Sequence, residues 1–183
     1  VTRARASTQA LRHRGPDGMG EWSFEWSAPG RTDAPPVSGY AGHTRLSILD
    51  PSRRSDQPLR RGQHTLIYNG EMYNFRPVRA ALSAAGARFS TDGDTEVLLT
   101  LLAQEGLPGL HRAHGMWAFG LVDHGTGTLL AARDRYGKKP LFYYLDDERL
   151  CLASEIAPIL RYLGRPPRLT DAALDTYLCD GWL

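Results

Sequence analysis

The sequence predicts an α+β domain, with antiparallel sheets that carry helices packed on their faces. Three observations lead there. Runs of alternating apolar and polar residues, the period of a half-buried strand, recur along most of the chain. They are separated by Gly, Pro and charged turn signals rather than by a helix after every strand, which argues against repeated parallel βαβ units. Two consecutive helical patterns sit together in the middle, between residues 76 and 106.

Each element has its own signal. Residues 3–13 carry helix formers and lead into Gly-Pro-Asp-Gly at 15–18, too much punctuation for the interior of a helix or strand. "GEWSFEWS" alternates aromatic with polar residues and reads as a strand, and 28–38, with three prolines and no period, reads as a loop. "GYAGHTRLSILD" resumes as strand up to Asp50, followed by a polar irregular loop to Pro58. In "HTLIYNGEMYNF" the strand meets Asn69-Gly70, the dipeptide of a tight hairpin turn. No returning strand follows, because 76–87 has helical period and ends at Gly86. Residues 89–106 read as a loop and an apolar helix, capped by Asp94 or Thr95 and stopped by Gly106. Four strand-like runs follow, "GMWAFGLVD", "TLLAARDRY", "PLFYYLD" and "RLCLASEI". The tail from 165 opens with two prolines and a Thr-Asp cap, then continues as a helix to the chain end.

Composition narrows the function. With 183 residues, 42% hydrophobic and 23% charged, the chain suits one globular domain. The net charge is +2, and the pairs Arg53-Arg54, Arg60-Arg61 and Lys138-Lys139 are scattered among loops, so no basic face for nucleic acid is expected. No apolar run is long enough to span a bilayer. Cys151 and Cys179 form neither a disulfide framework nor a zinc spacing; a reducing cytoplasm and no metal are expected. The chain opens on Val1 in what reads as a helix already under way, which suggests a processed N-terminus or a fragment.

The chemistry is carried by a few polar residues. An Asn carboxamide beside a glycine amide at a strand end supplies the paired donors of an oxyanion hole. Arg45, a lone strand arginine, either snorkels its stem or grips a carboxylate through two parallel bonds. Asp94 is a helix cap by default, and its carboxylate also suits an ammonium. With Glu71, these groups supply what a free amino acid needs: a cation for its carboxylate, anions for its amine, and donors for a reacting carbonyl.

Eight ordered segments, "LRHRGPDG", "HTRLSILD", "QPL", "YNGEMYNF", "GDTEVLL", "GMWAFGLVD", "ARDRYGKKPLFYY" and "LASEI", resemble the class II, N-terminal-nucleophile glutamine amidotransferase domain. The likeness covers about Leu11 to Leu160, and leucine after His-Thr-Arg favours the form found in glutamine-hydrolysing asparagine synthetases. It implies a four-layer sandwich, two antiparallel sheets between helix layers. It further implies an oxyanion hole at Asn69 and Gly70, a carboxylate site at Arg45, an ammonium site at Glu71 and Asp94, and a pocket lined by the main chain of Leu46, Ser47, Ile48 and Leu49. Arg14, Gly15, Pro16 and Asp17 match a motif that supports the pocket. In that family an N-terminal cysteine attacks glutamine with its own α-amine as base, and ammonia passes to a second domain where ATP adenylates aspartate. The domain itself needs no cofactor, and ATP and magnesium belong to the second domain. Nothing before Leu11 matches the cysteine-bearing strand. The resemblance thus implies an amidotransferase domain over 1–164 and a connector over 165–183 leading to an absent synthetase domain. The chain as written is expected to be inactive. The alternatives are a cysteine-less scaffold, as in β-lactam synthetases and lasso-peptide cyclases, and a non-catalytic binding module using "RYGKKPL" as a contact loop. Glutamine and the synthetase domain are the expected partners, and a homodimer is left open.

Overall fold

The computed structural model describes residues 1–26, 36–164 and 170–180. All strand pairs in it are antiparallel. Strands β1 (Gly18–Trp26) and β2 (Val37–Arg45) form one hairpin, in register from Gly18↔Arg45 to Trp26↔Val37. A four-stranded sheet follows in the order β3 (Leu59–Arg61), β4 (His64–Met72), β5 (Gly115–Asp123), β6 (Thr128–Arg133). A second hairpin joins β7 (Phe142–Leu145) and β8 (Leu150–Ala153). Helices α2 (Phe75–Ala84) and α3 (Asp94–Glu105) cover the β4 side of the molecule, while α1 (Thr2–Gln9) and α4 (Ile156–Leu163) pack on β2 and on the β7–β8 hairpin. Helix α5 (Asp171–Asp180) has no buried residue. The layers are therefore helix, sheet, a pair of hairpins, and helix.

Alternation along β4 divides its two faces. Leu66, Tyr68 and Met72 are buried with Leu98, Leu99 and Leu102 of α3, and their β5 partners Leu121 and Phe119 join the same core. Nine consecutive residues of α3, from Asp94 to Leu102, are buried, which explains why its sequence is apolar nearly all round. The odd residues Ile67 and Asn69 face the hairpins instead, opposite Gly120 and Ala118 of β5. Those small partners leave room there.

Several sequence expectations change. The strand expected through Asp50 ends at Arg45, and Leu46–Asp50 is loop. Asn69-Gly70 is no turn: β4 runs through it to Met72, because β5 pairs with it along the whole length. The N-cap of α3 is Gly93, with no side-chain cap bond, so Asp94 is the first helical residue rather than the cap. Gly106 does stop α3, at φ 61°. "RLCLASEI" is strand only to Ala153, and α4 was not anticipated. The expected loop at 28–38 lies mostly outside the described residues, as do the prolines of the tail. Thr170 caps α5 through Oγ1, which accepts from Ala173 N at 3.2 Å.

The hairpin β1–β2 is fixed to the sheet by rings. Trp22 stacks on Phe24 at 4.8 Å, His124 meets both edge-on, and Arg60 lies over Trp22 at 4.4 Å. At its other end the Gly-Pro-Asp-Gly turn presses on β2: Asp17 N donates to Arg45 O at 3.0 Å, and Asp17 Oδ2 accepts from Ser47 N at 2.7 Å. A Cβ on Gly15 would overlap the main chain of Thr44 and Arg45. Gly15→Ala is therefore expected to lower stability by about 2 kcal/mol, read as a reduced denaturation midpoint at unchanged m.

Candidate active site

The site forms where the C-terminal ends of β2 and β4 come together beside the start of α3. Strand β4 is paired by β3 only from His64 to Leu66. Beyond that point Gln57 imitates a strand: its Oε1 accepts from Tyr68 N at 2.6 Å and its Nε2 donates to Tyr68 O at 3.0 Å. Two residues past Gly70, Asp94 Oδ2 accepts from Met72 N at 2.8 Å. The main-chain groups of even residues point to this edge, whereas Tyr73 N donates to His114 O on the β5 side. Alternation thus places Gly70 N–H on the uncovered edge, between the Gln57 and Asp94 clamps. Next to it the buried Asn69 Nδ2 also has no partner. An unpartnered carboxamide N–H beside a main-chain N–H on an uncovered edge can together receive a developing negative charge.

Glycine at 70 is required by packing. A Cβ there would lie 2.6 Å from Trp117 Cα and overlap Met116 O. Trp117 is itself fixed, its N–H donating to the buried Asp134 at 3.2 Å. Asp134 also accepts from the N–H groups of Tyr136, Lys138 and Lys139, so "RYGKKP" is a tied loop, with Tyr136 exposed.

Arg45 does not snorkel; it is 8% exposed. Its Nη1 donates to Ser52 O at 2.8 Å and to Asp56 Oδ1 at 2.7 Å, and its Nη2 donates to Asp50 O. Of five N–H donors these use three, leaving Nε–H and one Nη2–H. The loop 46–56 folds around this guanidinium, which is why β2 stops at Arg45. Leu46, Ile48 and Leu49 are exposed and all three line the cavity; Ser47 is held by Asp17 instead.

Asp94 is buried and accepts from Tyr68 OH at 3.0 Å as well as from Met72 N. Burial raises its pKa above the ordinary carboxylate value, with the nearby Glu71 adding to the shift. Glu71, Asn69, Gly70, Asp94, Arg45 and Arg14 all line one cavity of about 840 Å³ between the sheet and the hairpins. Gly15, Pro16 and Asp17 stand behind it. The structure therefore gathers the sequence-selected residues in one place. Sequence reasoning gave no role to Gln57, Asp50 and His43, since nothing local marks the Tyr68 main chain as the partner of Gln57, Asp92 N as a partner of Asp50, or the burial of His43.

His43 also lines the cavity, with an unpartnered Nδ1, and burial pushes its pKa down to about 4. The fold holds it neutral while the unfolded chain protonates near 6.5, so the unfolded state binds more protons in that window. Stability is expected to fall as pH drops from about 6.5 to about 4. A thermal-midpoint profile checks this: His43→Asn should lose that component of the slope.

Cys151 offers little as a nucleophile. It lies on β8 in the lining of the cavity, but burial raises its thiol pKa and so reduces its thiolate. Cys179 is exposed on α5. Among the described residues no group of three or more His, Cys, Asp or Glu is placed to hold a metal ion, and no helix is long and apolar enough to cross a membrane.

Comparison with known proteins agrees with this geometry. The family description of a glutamine amidotransferase domain matches residues 2–182. A Mycobacterium tuberculosis protein provisionally named asparagine synthetase [glutamine-hydrolyzing] is 38% identical over 184 residues, 95% of this chain and 27% of that protein. Bacillus subtilis asparagine synthetase [glutamine-hydrolyzing] 1 is 36% identical over 149 residues, 80% of this chain and 22% of that protein. The chain spans about a quarter to a third of the length of the first such relatives. The solved structure of glutamine phosphoribosylpyrophosphate amidotransferase from B. subtilis superposes with a TM-score of 0.66 at 23% identity, covering 85% of this chain and 39% of that one. That likeness establishes the fold. The chain belongs to the glutamine amidotransferase domain family.

Proposed function

We propose that this chain is the glutaminase part of an asparagine synthetase: it binds L-glutamine, its oxyanion hole serves hydrolysis to glutamate, and the ammonia amidates aspartate in an ATP-dependent synthetase unit. The observation that carries this reading is the unpartnered Asn69 Nδ2 beside the Gly70 N–H that alternation turns to the uncovered edge, in a cavity lined also by Arg45 and Asp94. The remaining Nε–H and Nη2–H of Arg45 receive the α-carboxylate, and Asp94 with Glu71 receives the α-ammonium. The side-chain carbonyl then points at Asn69 and Gly70. A thiolate adds to that carbon and the oxyanion takes both donors; the amide nitrogen takes up the proton that the thiol gave up and leaves as ammonia, and water then hydrolyses the thioester to glutamate and frees the thiol. Donors placed where the charge develops are worth about 100- to 1,000-fold each in rate.

Neither Cys151 nor Cys179 is taken as the thiolate, because burial raises the thiol pKa of Cys151 and Cys179 lies on α5 outside the cavity lining. Residues 1–183 alone are expected to release no ammonia from glutamine, whereas the full-length gene product should form glutamate and ammonia in equal amounts. We assign the boundary between the amidotransferase domain and a connector to about residue 164, and place ATP and magnesium in the synthetase unit. The reducing cytoplasm suits the thiol chemistry. The position of the two thiols also supports a second reading, a non-hydrolysing scaffold in a related ATP-dependent amide-forming enzyme. A full-length product that forms amide from free ammonia but never from glutamine would select that second reading.

A further inference from the structure

One buried group outside the expected set joins the two ends of the pocket. Asp50 is 7% exposed and lies in the loop that wraps Arg45. Its main-chain oxygen accepts from the Arg45 guanidinium. Its Oδ1 accepts from Ser52 N at 2.9 Å, and its Oδ2 from Ser55 Oγ at 2.6 Å and from Asp92 N at 2.9 Å. Asp92 stands two residues before Asp94, across Gly93, whose missing Cβ would sit 3.7 Å from Asp50 Cβ. The hydroxyl of Ser55 and the amide of Asp92 hold the Asp50 carboxyl well below the usual carboxylate range. A single residue thus touches the carboxylate-binding arginine through its main chain and the ammonium-binding segment through its side chain. Asp94 continues the chain of contacts to Met72 N and so to the edge that carries Gly70.

We propose that Asp50 is a positioning residue that fixes the span between Arg45 and Asp94, and through it the side-chain length that the pocket accepts. The inference rests on the glutamine reading above. A ligand one methylene shorter, held by the same two ends, leaves its carbonyl about one bond length, roughly 1.5 Å, short of the Gly70 amide. One methylene in a fixed pocket discriminates by about 10- to 200-fold. A span that is free to adjust loses that ratio while keeping both charged contacts.

The test is titration calorimetry of the full-length gene product with L-glutamine and L-asparagine, for the wild type, Asp50→Asn and Ser55→Ala. In Asp50→Asn the amide nitrogen faces Ser52 N on one side or Asp92 N on the other, donor against donor, and the loops part. The expected result is a glutamine-over-asparagine preference reduced by about tenfold in Asp50→Asn, with a smaller shift of the same sign in Ser55→Ala. A loss of folded protein would weaken both ligands equally, so the ratio separates positioning from bulk stability. An unchanged ratio in folded Asp50→Asn overturns the inference, and where that variant does not fold, an unchanged ratio in Ser55→Ala does so. A wild type that binds glutamine with no preference over asparagine also overturns the inference while leaving the pocket reading standing. A wild type that binds no glutamine overturns both.

Discussion

Gly70→Ala is expected to cut the proposed glutaminase reaction sharply and to destabilise the fold at the same time. The added methyl enters the space held by Trp117 Cα and Met116 O, both backbone atoms of a paired strand, so neither yields by rotating a side chain. Overpacking of this kind costs about 3 kcal/mol. The strands must separate where Gly70 and Trp117 face each other, and that moves the Gly70 N–H away from the carbonyl it should serve. Activity is expected to drop by about 100-fold or more, measured as ammonia release in the fraction that remains folded. Asn69→Ala supplies the contrast. It removes a donor that has no protein partner, so stability should change little while the rate falls by a comparable factor.

Asp94→Asn is expected to separate binding from stability in the other direction. The asparagine keeps an oxygen for Tyr68 OH and Met72 N, so the clamp on β4 survives. What is lost is the charge proposed to meet the substrate ammonium. A charge-assisted contact is worth about 1.5–3 kcal/mol, so glutamine affinity should fall by about 10- to 100-fold. Stability should not fall. Burial raises the folded pKa of Asp94, so the native state holds a proton that the unfolded chain has released in the window above the ordinary carboxylate value. Wild-type stability therefore declines as pH rises through that window, and Asp94→Asn should be flat there. Glutamine affinity runs the opposite way in the wild type, growing as Asp94 ionises.

Much of this was legible in the sequence because it depends on local pattern. The alternation of "GEWSFEWS" and "GMWAFGLVD" marks β1 and β5, and the largely apolar run from Val97 to Leu102 marks a helix buried on nearly every side. Asn69, Gly70, Arg45 and Asp94 stood out as candidates for an amino-acid site from their chemistry, and the fold brings them around one cavity. Their arrangement was not legible, because it rests on contacts between distant residues. Asn69-Gly70 has the local preference of a turn, yet pairing to Ala118 and Trp117 keeps it in a strand. Tertiary pairing overrides propensity there. Nothing local marks Gln57 as the strand partner of Tyr68, or Asp50 as the acceptor for Asp92. Helix α4 was hidden because Ile156 continues the apolar character of β8, and Pro158, tolerated in a first turn, reads as a breaker.

The central claim is that Arg45, Asp94, Asn69 and Gly70 form one pocket for an L-amino acid with a side-chain amide. Calorimetric titration of the full-length protein with L-glutamine and then D-glutamine tests it most directly. Saturable binding of the L-form, with the D-form at least about tenfold weaker because it presents its ammonium away from Asp94, is the predicted result. Absence of L-glutamine binding, or equal binding of the two enantiomers, would contradict it.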